Sequence, residues 1–307
     1  MEKLPVELLE NILNQLSSLK DFQNAFNTCY KWRKIIENLF KNKGKINWRI
    51  KKSFPETKYF NFTYKTTFSG KILIASRYPS DDLEIEIIDL INPRLNFKFT
   101  VDGRASIKGA VGGFVQNKPV ICGGVNDRGN IQNCLVLGEN STFSMITNRF
   151  YASSVLLKQQ QQLWVTGGQT VKKDSLNATT LNSTEFVKLD QPNSVQGPDL
   201  PFTILGHTMV QINPKSILII GGYQNGDISN KTWFVDLSNG FEIKEGPPLQ
   251  HARVGHSCSK IIIKGKVFIV VAGGIQIPPS SIQIHAVEIL DSTSPKNAWT
   301  FGMHLFN

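Results

Sequence analysis

Cysteine is scarce in this chain, long apolar runs are missing, and no histidines cluster. Four cysteines occur in 307 residues, Cys29, Cys122, Cys134 and Cys258, with no C-x-x-C among them. That spacing excludes a zinc ribbon and a thioredoxin-like motif, and it predicts reduced thiols in a cytoplasmic or nuclear protein. No apolar run approaches the ~18 residues that a membrane-spanning helix needs. The richest stretch, Ile261–Ile263 and Val267–Ala272, is broken by Lys264-Gly265-Lys266, so no membrane association is expected. The opening, Met1-Glu2-Lys3-Leu4-Pro5-Val6-Glu7, has early acids and no signal-type apolar core, which argues against secretion. The N-x-[ST] sequons at Asn61, Asn140, Asn177, Asn182 and Asn230 are therefore expected to carry no glycan.

Catalytic signatures are absent too. His207, His251, His256, His285 and His304 show no H-x-H or H-E-x-x-H spacing. There is no G-x-S-x-G elbow, no G-x-G-x-x-G and no P-loop lysine. The reading is a non-enzyme with no catalytic residues, no metal and no cofactor. His207 and His256 each follow a glycine at equivalent places in a repeat, which suggests a shared structural role near a turn.

Charge is uneven. Lys+Arg is 34 against 24 Asp+Glu, a net charge of +10. Residues 1–60 hold 12 basic and 6 acidic side chains, leaving 22 and 18 for the rest. The excess peaks over Lys41, Lys43, Lys45, Arg49, Lys51 and Lys52, read as a solvated linker at 43–57. No nucleic-acid partner is expected on this pattern, because the charge is not spread over a binding surface.

The first forty residues predict helices. Leu8, Leu9, Ile12, Leu13 and Leu16 have the spacing of an amphipathic helix, Pro5 suits its first turn, and Glu7 and Glu10 favour its positive end. Shorter helices fit Lys20–Asn27 and Cys29–Phe40. So small a unit buries little surface by itself and calls for a partner. Leu4-Pro5-Val6-Glu7-Leu8-Leu9, then Ile12-Leu13, Leu16, Leu19, Asp21-Phe22 and Cys29-Tyr30-Lys31-Trp32, resemble an F-box over residues 1–42. The Val and Arg of that family's closing stretch are Thr28 and Tyr30 here.

The remainder, 58–307, repeats. β-rich runs end in Gly123-Gly124, Gly167-Gly168, Gly221-Gly222 and Gly273-Gly274, and Lys71–Ser76 is a degenerate fifth copy. Each unit adds a strand ending near an acid (Asp89, Asp190, Asp236, Asp291) and then an aromatic opening a fourth strand (Phe97, Phe143, Phe241, Trp299). A period near fifty residues with four short strands per unit predicts a β-propeller. The pattern resembles the kelch repeat. The expected fold is mainly β, a kelch-type propeller of about five four-stranded blades behind a three-helix F-box domain. Because the last copy halts where its siblings continue, an incomplete ring with an open edge is expected.

The double resemblance implies a substrate-recognition adaptor of a Skp–cullin–F-box ubiquitin ligase. The partners it implies are the small adaptor subunit, the cullin and an unknown target protein. Leu4, Pro5, Leu8, Leu9, Ile12, Leu13, Leu16 and Trp32 would form the adaptor-facing surface. The target would meet loops after the glycine pairs, Val125–Asn130, Gln169–Asn182 and Tyr223–Asn230, where Arg128, Lys172, Lys173 and Asp227 sit. The competing reading is a kelch-type scaffold or cytoskeletal protein with no ligase link.

Overall fold

A computed structural model describes the strand residues within 64–101, and residues 109–126, 129–137, 139, 141–171, 177–263, 265–276, 282–284, 286–293 and 298–304. The three-helix unit expected over 1–42 and the linker at 43–57 lie outside these residues.

The described chain is mainly β, with no helix among the described residues. It forms five consecutive four-stranded antiparallel sheets, each a meander of strands in chain order. Sheet one holds Tyr64–Phe68, Lys71–Arg77, Leu83–Asp89 and Phe97–Val101. Sheet two holds Val111–Val115, Lys118–Cys122, Asn133–Val136 and Thr142–Ser144. Sheet three holds Ser153–Leu157, Gln162–Thr166, Thr184–Val187 and Val195–Gln196. Sheet four holds Thr208–Asn213, Ser216–Ile220, Thr232–Asp236 and Glu242–Glu245. Sheet five holds Ser257–Ile263, Lys266–Ala272, Ala286–Asp291 and Trp299–His304. The first strands of successive sheets lie side by side, from sheet one through sheet five. No closed ring is found among the described residues.

This stacking explains why the second strands read as unbroken apolar runs. Successive side chains of a strand point to opposite faces, and here both faces are covered. Ile217 and Ile219 pack with Trp164 of sheet three, whereas Leu218 and Ile220 pack with Ile269, Val271 and Leu290 of sheet five. All four residues of Ile217–Ile220 are fully buried. Burying each is worth ~1.5–3 kcal/mol. A single exposed face would instead have produced strict alternation with polar residues. The aromatic expected near the fourth strand seals neighbouring sheets: the Phe241 ring lies 5.2 Å from Trp164 and 5.6 Å from Phe186. Trp299 is buried, and its indole N–H donates to Pro247 O at 2.9 Å.

The structure corrects one expectation. Cys122 and Cys134 are joined in a disulfide, not held as two thiols. They are register partners on the second and third strands of sheet two, a relation that spacing along the sequence does not reveal. Cys258 is a thiol near Met209 O, at 3.6 Å.

Candidate target-binding face

The Gly-Gly signature has a definite cause. In the first three pairs the first glycine sits under the backbone entering the next sheet. A Cβ on Gly167 would lie 2.2 Å from Ile204 O, and one on Gly221 would lie 2.8 Å from Arg253 O. The second glycine then donates its N–H to that same carbonyl: Gly124 to Arg149 O, Gly168 to Ile204 O and Gly222 to Arg253 O, each at 2.8 Å. These glycines have positive φ, a conformation that costs a residue with a Cβ about 1–2 kcal/mol.

Beyond each glycine pair the chain makes a small hairpin. These are Val125–Asn126 with Gly129–Asn130, Gln169–Val171 with Ala178–Thr180, Tyr223–Gln224 with Asp227–Ile228, and Ile275–Gln276 with Ile282–Gln283. The hairpins pair with the segments that enter the sheets, through Phe150 with Gln169, Leu205 with Tyr223 and Val254 with Ile275. A backbone ladder runs beside them. Tyr151 donates its N–H to Gly109 O, Gly206 to Tyr151 O and Gly255 to Gly206 O, each at 2.8 Å. All four residues have positive φ, and Tyr151 alone carries a side chain there, with φ +54° and 44% exposure. Hairpins, entry segments and ladder thus gather at the glycine end of the sheets. This is a hydrogen-bonded surface.

Under this surface lie two ion pairs that the sequence reading passed over. Arg149 and Glu185 are both fully buried, with Nη2 donating to Oε1 at 2.5 Å. Arg149 Nη1 also donates to Gly167 O at 2.8 Å and Ser183 O at 2.9 Å. Glu185 accepts the backbone N–H groups of Ile146 at 2.8 Å and Thr147 at 3.0 Å, and the Ser194 hydroxyl at 2.5 Å. Sheet five repeats the design. Arg253 donates to Glu288, to Gly273 O at 2.9 Å and to Ala286 O at 3.2 Å, while Glu288 accepts from the Gln250 and His251 backbone N–H groups. Burial pulls the Arg253 guanidinium below its ordinary range, and Glu288 opposes that shift. Sheet four replaces both partners together, with Ile204 in the arginine position and Trp233 in the glutamate position. The signal was available: an arginine four residues before the first strand of its sheet, and a glutamate whose register partner lies two residues before the first glycine.

His207 and His256 lie between sheets. Nε2 of His207 is 2.7 Å from Thr166 Oγ1, and Nε2 of His256 is 2.8 Å from Thr208 Oγ1. Each histidine therefore binds a threonine of the preceding sheet. Burial depresses both imidazoles to about 3, and Arg253 adds to the effect at His256. Both are neutral at pH 7. No group of His, Cys, Asp or Glu able to hold a metal occurs among the described residues.

Of the residues expected to meet a target, Asp227 is placed. It is exposed at the turn of the sheet-four hairpin, where its carboxylate accepts the Ile228 N–H at 2.7 Å. Arg128, Lys172 and Lys173 lie outside the described residues, as do Leu4, Pro5, Leu8, Leu9, Ile12, Leu13, Leu16 and Trp32. Asn177 and Asn182 are exposed, and Asn230 is half-buried. Asn182 and Asn230 donate their amides to Leu200 O at 3.1 Å and Leu249 O at 3.0 Å.

A scan against protein-family models finds no match, and a search of curated proteins finds none. Among solved structures, one described as the structure of YjhT is similar, with a TM-score of 0.60 and 11% sequence identity. The match covers 80% of this chain and 84% of that one. At this identity the similarity concerns the fold alone.

Proposed function

We propose that the chain is a substrate-recognition adaptor of a Skp–cullin–F-box ubiquitin ligase, built as an F-box followed by a kelch-type propeller. The observation that carries the reading is the register of Leu4-Pro5, Leu8, Ile12, Leu16 and Trp32 with the F-box pattern, upstream of a repeat platform. Five successive four-stranded sheets with adjoining first strands support the platform half of the proposal. Buried side chains on the far face of sheet five, Ile261, Val270, Val287 and Ile289, support a blade covered on both sides.

In this reading the helical unit binds the small adaptor subunit through Leu8, Ile12 and their neighbours, and the cullin follows through that subunit. The glycine-end hairpins hold the target. The chain speeds ubiquitin transfer by bringing target and ubiquitin-loaded enzyme together, with no chemistry of its own. The test is co-purification of the full chain with a Skp-type adaptor. The pair should survive gel filtration with the wild-type chain and separate when Leu8→Asp and Ile12→Asp are combined.

A further inference from the structure

The loop leaving sheet two at Cys122 and returning at Cys134 is tied at its base by a covalent bond, with the two Cα atoms 4.0 Å apart and a sequence separation of 12. The corresponding register pair is Thr166 with Thr184 in sheet three and Ile220 with Thr232 in sheet four. Sheets three and four are therefore built without a bond at this position. What the bond encloses is Gly123-Gly124 and the hairpin of Val125–Asn126 and Gly129–Asn130. Apart from the bond, the base of this loop is held by Gly123 N–H to Asn133 O at 3.2 Å and Ile131 N–H to Gly124 O at 2.8 Å.

We propose that Cys122 and Cys134 form a reversible redox latch on this hairpin, a dithiol in one state and a disulfide in the other, so that oxidation stiffens one element of the target-binding face. Its effect on a target rests on the adaptor reading; its chemistry does not. Under the cytoplasmic placement expected from the sequence, lasting disulfides are rare, and those that occur are mostly catalytic or redox-responsive. With hydrogen peroxide as oxidant, one cysteine thiolate attacks an oxygen and becomes a sulfenic acid, releasing water once the leaving hydroxide is protonated. The second thiol then displaces the sulfenic oxygen as a further water, forming the S–S bond. Two thiols lose two electrons and one peroxide gains them. A dithiol reductant reverses the step by exchange and leaves as its own disulfide. Both sulfur-bearing side chains are buried, 1% and 0% exposed, so reagents reach them when the end of the sheet opens locally. Closing the bond removes freedom from the loop in that opened state.

The test uses the full chain, oxidised with hydrogen peroxide and then reduced with dithiothreitol without denaturant. Alkylation and mass spectrometry read the bond, and hydrogen exchange reads the hairpin. Amides of 124–131 should exchange at least about tenfold faster after reduction, while the hairpins of sheets three and four stay unchanged. The variant combining Cys122→Thr and Cys134→Thr copies the pair found in sheet three. It should match the reduced protein under both conditions. Three results overturn the latch: both thiols alkylated after peroxide, a bond that resists dithiothreitol in the folded chain, or equal exchange in the two states. None of these readouts involves an adaptor or target, so they separate failure of the latch from failure of the ligase reading.

Discussion

Arg149 and Glu185 bind each other in complete burial at 2.5 Å, on elements 36 residues apart, and Arg253 and Glu288 repeat the arrangement in sheet five. Such pairs are costly to desolvate, and removing one partner leaves an uncompensated charge. Each carboxylate also accepts two backbone N–H groups of the connection before its sheet, so the pair anchors that connection as well.

Glu185→Ala should therefore destabilise the chain by about 3–5 kcal/mol, read by urea unfolding. Combining Arg149→Ile with Glu185→Trp copies Ile204 and Trp233 of sheet four, and it should recover a substantial part of that loss. If the double change costs as much as the two single changes added together, the two residues are not coupled.

The histidines set the acid limit. Their folded pKa of about 3 lies below the ordinary imidazole value of 6.5. The unfolded chain thus binds more protons between these values, and stability falls as pH falls from 6.5 toward 3. Above 6.5 the contribution is fully present. Each histidine adds at most about 1.4 kcal/mol per pH unit to the slope. His207→Asn should flatten the pH dependence of the unfolding free energy relative to wild type. An unchanged slope would show that His207 is not held neutral.

Glycine and tyrosine at positive φ should respond unequally. Gly221→Ala puts a Cβ 2.8 Å from Arg253 O and 2.9 Å from His256 Cε1, at φ +56°. It should lower stability by more than about 1 kcal/mol. Tyr151→Gly relieves a side chain at φ +54° whose ring is partly exposed, so it should cost less than a typical core truncation. Thermal melts of the two variants rank them directly, and a larger loss for Tyr151→Gly would contradict this view of the ladder.

The repeat was legible because it is written in residues that the fold cannot exchange freely. Gly167 and Gly221 lie where the next sheet's backbone crosses, and Ile217–Ile220 must be apolar on both faces. The fourth-strand aromatics were legible for the same reason, although sheet three has only Val195–Gln196 there. The Arg149–Glu185 pair was harder to see. Its partners are far apart in sequence, and sheet four fills the same space with Ile204 and Trp233. The Cys122–Cys134 bond was missed because it depends on register across a loop, and cysteine spacing alone carries no register. Of the residues expected to meet a target, loop position pointed to Asp227, but sequence offers no way to see that its carboxylate is engaged by its own turn.

The adaptor proposal stands or falls on residues 1–42. By their spacing Leu8 and Ile12 would share one face of a helix, and burying two or three such side chains in a partner is worth ~1.5–3 kcal/mol each. The direct measurement is binding of the purified full chain to a Skp-type adaptor subunit by titration calorimetry, beside the variant combining Leu8→Asp and Ile12→Asp. The account predicts a one-to-one complex for the wild type and no measurable heat for the variant, with both proteins showing the same β-sheet circular dichroism. A wild-type chain that does not bind, or a variant that binds equally well, would contradict it.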